Sequence, residues 1–257
     1  MNSRKEQLAA LDHLLTIMDE LREQCPWDRK QTFQSLRHLT IEELYELGDA
    51  LLEEDLEEIK KELGDLLLHI FFYAKIGSEK KAFDIGDVAQ SISEKLVYRH
   101  PHIYGDITLD DAAAVKQNWE KLKLKEGKKS VFEGVPKGLP AMVKAMRVQE
   151  KAAGVGFDWK AAEPVLDKIK EEITEFEAEQ KRQDITAMEA EFGDVLFSLV
   201  NYARWQKIDP EAALERTNKK FISRFQNMEK QAKANDVALS SLDLETLERY
   251  WEQAKKG

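Results

Sequence analysis

Apolar residues return at Leu8, Leu11, Leu14, Leu15, Met18 and Leu21, the i, i+3, i+4, i+7 spacing of a helix with one buried face. The pattern stops at Cys25-Pro26-Trp27-Asp28. A second helix is predicted from Thr40 to about Glu53, with the Thr40 hydroxyl as its cap and Glu43, three residues on, completing a capping box. After a short acidic turn, Leu56 to Ile76 reads as a third helix stopped by Gly77. Asp84 to Arg99 and Leu109 to Glu126 are further helical segments, separated by the loop His100 to Gly105. Gly127, Gly134, Pro136, Gly138 and Pro140 then break all periodicity, as a linker does. Beyond it, helices are predicted over Leu139–Ala152, Pro164–Gln180, Ile185–Gln206, Pro210–Asn235 and Leu244–Lys255. The longest apolar stretches, Leu66 to Ala74 and Val195 to Ala203, fall short of the ~18 to 20 residues that span a bilayer and read as buried helix centres. The pattern as a whole predicts an all-α protein.

The second half of the chain repeats the first. Glu42-Glu43-Leu44-Tyr45-Glu46 matches Glu171-Glu172-Ile173-Thr174-Glu175, and Glu62-Leu63-Gly64-Asp65 matches Glu191-Phe192-Gly193-Asp194. Glu43 to Glu172 and Asp65 to Asp194 are both steps of 129, and Tyr73-Ala74 returns at the same step as Tyr202-Ala203. Lys95 to Arg99 answers Lys220 to Arg224, and Trp119 to Lys123 answers Trp251 to Lys255, at steps of 125 and 132. Such drift is what loops of unequal length produce. The expected organisation is two tandem helical domains, residues 1–126 and 140–257, joined by a linker at 127–139, with helices packed as in four-helix bundles.

A net charge of −10 and a pI near 5.2 argue against a surface that gathers nucleic acid or anionic lipid, since both are polyanions. The lone cysteine, Cys25, forms no internal disulfide, and Met1 to Leu11 alternates charged and apolar types in place of a signal core. A cytoplasmic protein without a membrane partner is expected.

On a helix, Glu43 and Glu46 share a face, as do Glu62 and Asp65 on the next. In an antiparallel hairpin the four carboxylates converge, and their repulsion demands a cation. Hard oxygen ligands of this kind suit Mg²⁺ or Mn²⁺. Glutamates on helices are ordinarily solvated surface, but surface charge has no reason to keep register across two copies. Gly64 and Gly193, unfavourable inside helices, suggest a close helix approach beside the site. Lys95 with Arg99, and Lys220 with Arg224, lie four apart on one face. Beside a metal cluster such a pair meets the needs of a polyphosphate: metals bridge some oxygens while the cations hold the others and offset charge on the leaving group. Trp119 with Lys123, and Trp251 with Lys255, offer an aromatic face and a further cation to a nucleotide, unless the tryptophans simply pack in the core.

With EExxE followed by ExxGD twice, CPWD near the start, Arg99-His100-Pro101-His102 and Gly156-Phe157-Asp158-Trp159, the chain resembles the MazG family of nucleoside triphosphate pyrophosphohydrolases from Leu14 to Lys255. The resemblance implies two MazG-like domains, hydrolysis of NTPs and dNTPs to the monophosphate and diphosphate with Mg²⁺, and a homodimer, in a role that clears or regulates nucleotide pools. It further implies that Glu43, Glu46, Glu62 and Asp65 are metal ligands in the first half, and Glu172, Glu175, Glu191 and Asp194 in the second. Glu42 and Glu171 become candidates for orienting or deprotonating the attacking water. A ferritin-like di-iron bundle would need Glu-x-x-His, but aspartate stands third after both Glu62 and Glu191, which leaves His69 as a packed histidine. A non-catalytic nucleotide sensor is the other alternative. His100 and His102 are solvent-facing turn residues or phosphate contacts, Cys25 an inert thiol, and Trp27 and Trp159 a cover for the site or loop packing.

Overall fold

The protein is described here by a computed structural model that covers residues 1–109, 111, 114, 115, 118, 119, 122 and 130–255. The chain divides into two compact units, Met1–Asp110 and Asp111–Gly257. Among the described residues there is no strand, and no helix is long and apolar enough to cross a membrane.

Unit 1 begins with α1, Arg4–Gln24, opened by a capping box between Ser3 and Glu6. A 3₁₀ turn at Asp28–Lys30 leads to α2, Phe33–Glu53. This helix starts seven residues before the predicted Thr40, because Thr32 and Ser35 form the capping box. Thr40 lies inside the helix instead, its hydroxyl bonded to the Leu36 carbonyl and, at 2.6 Å, to the Tyr73 hydroxyl of the next helix. Then α3, Leu56–Glu79, runs past Gly77. That glycine does not stop the helix. It makes room for Phe83, whose ring carbons and carbonyl oxygen would lie 2.7 and 2.9 Å from any Cβ there. Ile85–Arg99 (α4, capped by Asp84) buries no residue, and a single turn, Pro101–Tyr104 (α5), follows. The helix predicted over 109–126 lies largely outside the described residues.

Apolar faces of three helices meet in a core of Met18, Leu36, Phe72 and Ile76, flanked by Phe33, Leu39, Leu68 and Tyr73. Arg22 of α1 seals its edge, lying over the Phe72 ring at 5.5 Å. It reaches the Glu79 carboxylate at 2.5 Å and also donates to the Asp28 carbonyl oxygen.

In unit 2 the helices are α6 (Ala141–Gly154), α7 (Glu163–Arg182), α8 (Ile185–Trp205), α9 (Pro210–Ala234) and α10 (Leu244–Ala254). Residues 130–139 are turns, held on α6 by the buried Lys151 ammonium, which donates to the Val131 carbonyl. Packing centres on the α7–α8 hairpin, with α6 against α8 and α9 against α6. Val165, Ile169, Val200, Met228 and Ala232 are buried.

Both hairpins are closed by a two-residue turn at equivalent positions. Glu54 and Gln183 end α2 and α7 in the left-handed region, at φ 54° and 58°. Asp55 and Asp184 follow at once as caps, each accepting hydrogen bonds from two backbone amides of the next helix. So short a connection forces the helices antiparallel.

Two stability outcomes follow. Gly77→Ala should cost about 1 to 3 kcal/mol in denaturant unfolding of the full chain, whereas Gly64→Ala, with nothing within 4 Å of its added carbon, should be neutral or stabilising. The hydrogen bond and charge of Arg22 hold the Glu79 carboxyl below its ordinary value of 4.5. Its contribution is therefore present above 4.5 and lost as pH falls through the depressed value. Glu79→Gln should lower stability by about 1 kcal/mol at pH 7, discounted for the partial exposure of Glu79, and the gap from the parent should close in acid.

Candidate active site

Each hairpin gathers three carboxylates. Glu43 and Glu46 on α2 meet Glu62 on α3, and Glu172 and Glu175 on α7 meet Glu191 on α8; in each trio the ligand oxygens lie within 4.8 Å of one another. The three-residue step and the antiparallel turn accomplish this together, since one face of each helix is turned to the other. Asp65 and Asp194 stand outside these trios. Asp65 is nevertheless near enough that its charge acts on Glu43, while Asp194 is exposed.

The electrostatics are those of crowded anions. Burial, then Asp65, Glu46, Glu62 and Glu42, raise the Glu43 carboxyl above its ordinary value. Burial, followed by Glu172 and Glu191, raises Glu175, with Lys168 opposing. One carboxylate per trio is deeply buried, and it is not the equivalent one: Glu62 on the second helix in unit 1, Glu172 on the first helix in unit 2. Each has a lysine. Lys61 Nζ is 3.1 Å from Glu62 Oε1, and Lys168 Nζ is 2.9 Å from both Glu172 and Glu171. The other Glu62 oxygen, Oε2, is buried with no partner. An unmatched buried carboxylate oxygen among further carboxylates is a donor set that fits a hard divalent cation.

The remaining candidates are spread over the two units. Glu42 and Glu171 are exposed beside their trios, Glu171 engaged by Lys168. Lys95 is exposed on α4, where it lines a surface groove with Phe83, Asp87 and Ile92, and Arg99 is half-buried at the helix end. On α9, Lys220 is exposed, and Arg224 lies over the Trp251 ring at 5.9 Å, with Phe221 packed on the same ring at 5.0 Å. Thus Arg224 and Trp251 are brought together, whereas Lys255 pairs with Glu252. Trp119 is half-buried, and Lys123 lies outside the described residues. Gly64 and Gly193 do not mark a close helix approach, because each has open space where a Cβ would stand. His69 is buried 6.4 Å from the Tyr73 ring, its Nδ1 without a partner and its pKa lowered by burial, against the pull of Asp65.

Unit 2 adds what motif reading missed. A cavity of about 310 Å³ opens beside the trio, with Lys168 and Glu172 among its lining and Phe132, Phe157, Trp159 and Phe197 as its aromatic wall. Asp158 ties the Phe157-Asp158-Trp159 loop to α8, accepting two hydrogen bonds from Arg204 at 2.6 and 2.9 Å and one from Trp205 Nε1 at 3.2 Å. At the matching step of 129, unit 1 has Leu68, His69 and Phe72 where unit 2 has Phe197, Ser198 and Asn201. Phe72 belongs to the unit 1 core. In the sequence these features show only as the Gly156-Phe157-Asp158-Trp159 motif, with Trp159 a candidate cover for the site, and as Lys168, one turn before Glu172.

The MazG nucleotide pyrophosphohydrolase domain matches this chain twice, over residues 31–104 and 161–228, so each match includes one complete trio. A nucleoside triphosphate pyrophosphohydrolase of Escherichia coli (strain K12) is 41% identical over 255 residues, 96% of this chain and 97% of that protein. The nucleoside triphosphate pyrophosphohydrolase/pyrophosphatase MazG of Thermotoga maritima is 44% identical over 258 residues, 98% of both chains. The uncharacterized protein YabN of Bacillus subtilis is 45% identical over 94% of this chain, which spans half of YabN. With paired acidic trios on antiparallel hairpins and the family's domain matched at both, this chain belongs to the MazG nucleotide pyrophosphohydrolase family.

Proposed function

We propose that the protein hydrolyses nucleoside and deoxynucleoside triphosphates to the monophosphate and diphosphate, acting on cytoplasmic nucleotide pools with Mg²⁺ as cofactor and Mn²⁺ as a substitute. The observation that carries this reading is the cavity of unit 2, where an aromatic wall shares one space with Glu172, the buried member of the carboxylate trio. Apolar pockets with a few convergent polar groups are what small-molecule sites look like, and stacked rings beside an acidic cluster suit a base joined to a polyphosphate.

In this reading Glu172, Glu175, Glu191 and Asp194 hold the cation, which when bound neutralises charge on the phosphate oxygens. Glu171 accepts the proton of a water whose oxygen attacks the α phosphorus in line. The bond from that phosphorus to the bridging oxygen breaks, and diphosphate departs with Lys220 and Arg224 offsetting its charge. Trp251, which Arg224 overlies, and Lys255 are the nucleotide contacts of the same reading. In unit 1 the corresponding set is Glu43, Glu46, Glu62 and Asp65 with Glu42, Lys95, Arg99, Trp119 and Lys123. There the wall position is filled by Phe72, which favours a unit that binds cation or nucleotide without turnover. The two-domain division about a 127–139 linker belongs to the same proposal. So does a homodimer: Leu44, Tyr45, Leu63 and Ile70 of the first hairpin are all about half exposed, apolar area that a second copy can cover.

Glu172→Gln should reduce NTP turnover by about a hundredfold or more, and Glu43→Gln should leave most of it. Chromatography of the products should find NMP and diphosphate; NDP with orthophosphate would contradict the bond proposed. Mg²⁺ about 100-fold above its Kd should raise Tm by about 5 to 10 °C. Because Glu43 and Glu175 are raised, the folded apo protein takes up protons there before the unfolded chain does. The cost of desolvating and crowding these charges is therefore present above the raised values and relieved as pH falls toward the usual 4.5. Protons and metal compete for the same oxygens, so the Mg²⁺ increment in Tm should shrink over that same descent.

A further inference from the structure

Two buried amides line the unit 2 cavity, and neither belongs to the acidic or basic sets already named. Gln149 of α6 is 7% exposed and Asn201 of α8 is 6% exposed. Their orientations are fixed by the bonds they make. Gln149 Nε2 donates to the Phe197 carbonyl at 2.8 Å, which assigns the other end of the amide, and that oxygen, Oε1, is buried with no donor. Asn201 Oδ1 accepts from Arg204 Nε at 3.0 Å, and Arg204 is itself clamped by Asp158. That chain leaves Nδ2 as what Asn201 has to offer. The residues lining the cavity therefore include one with a buried, unmatched acceptor and one whose amide is oriented by Arg204, among four aromatic rings of which Phe157 is largely exposed.

A buried acceptor without a donor is a standing cost that a ligand N–H removes. Phosphate offers no such hydrogen at neutral pH. Every nucleobase does, beside an acceptor on the same edge: N–H next to C=O in guanine, uracil and thymine, and N–H next to a ring nitrogen in adenine and cytosine. The aromatic wall suits the faces of the same ring, since base stacking on aromatic side chains is indifferent to base identity. In unit 1, at the position matching Asn201, Phe72 has no polar group to present.

We propose that Gln149 and Asn201 form the nucleobase subsite of unit 2, Gln149 Oε1 accepting from a base N–H and Asn201 Nδ2 donating to the neighbouring acceptor. This rests on the hydrolase reading above and adds to it where the base sits and which groups read it. The phosphates lie toward Lys168 and Glu172, and the base toward α6 and the Phe157 to Trp159 loop.

The test measures steady-state turnover by the full-length protein with ATP, dATP, GTP, CTP, UTP and ribose 5-triphosphate, which carries no base. Gln149→Met keeps the side-chain volume and removes the acceptor. Asn201→Asp keeps the oxygen that Arg204 needs and removes the donor, so each variant checks the other should one fold poorly. Each should raise KM for the base-bearing substrates about tenfold with a much smaller effect on kcat, and the penalty on ribose 5-triphosphate should be smaller by at least about fivefold. Equal penalties with and without a base would overturn the subsite. So would a penalty present for ATP and missing for dATP, since the pair would then be reading the 2′-hydroxyl. Glu172→Gln separates the two levels: if it abolishes turnover while both amide variants leave KM unchanged, the base subsite alone fails. If Glu172→Gln retains full turnover, the hydrolase site in unit 2 fails and the subsite with it.

Discussion

Three carboxylates held within reach of one another between two helices repel, and the rest of each unit is arranged around containing that repulsion. The two-residue turns at Glu54-Asp55 and Gln183-Asp184 keep the helices antiparallel. The apolar faces behind them keep the helices close, in unit 1 through Phe72 and Ile76 of α3 against Leu36 of α2 and Met18 of α1. A lysine answers the most buried carboxylate in each copy, by different routes: Lys61 from within α3, and Lys168 from one turn earlier on α7. One positive charge against three negative ones leaves a deficit that is naturally met by a divalent ion and, through it, by an anionic substrate.

The same frame supports different walls. At one step of 129, phenylalanine in unit 1 and asparagine in unit 2 stand at equivalent places on the second helix of the hairpin. Phe72 closes a core, whereas Asn201 borders a cavity and is braced by Arg204 and Asp158. The two units thus differ in the residues behind the acidic trio, while the trio itself is common to both. Motif identity marks the acidic residues that both copies share; it is silent about the side chains that surround them.

Much of this was legible before any coordinates. Helix periodicity carried the all-α architecture, and register between copies pointed to four acidic positions in each, of which three gather into a trio while Asp65 and Asp194 stand outside, because repetition at one fixed step separates a constrained charge from a solvated one. The sequence pattern misplaces the start of α2 because Thr40 and Glu43 imitate a capping box inside a helix, while the true cap, Thr32 with Ser35, uses a shorter partner. Gly77 looked like a terminator because a glycine's reason for being is tertiary there, the ring of Phe83. Gln149 was invisible for a related cause. A single glutamine on an amphipathic helix has no periodic or pairwise signature, and its isolation appears only when Phe197 and Asn201, about fifty residues along the chain, fold back beside it.

The hairpin turn has a further implication for how such a chain can change its length. An α-helix rotates about 100° per residue, so one residue inserted between Glu43 and the turn, or between the turn and Glu62, would swing one carboxylate away from its partners. Spacing within the hairpin is accordingly identical in the two copies, down to the left-handed residue and the aspartate after it. Downstream the steps relax to 125 and 132, where a loop can lengthen or shorten without turning a catalytic face. Insertions and deletions in this protein are therefore segregated by mechanics: forbidden across some twenty residues around each turn, and tolerated at the joints beyond.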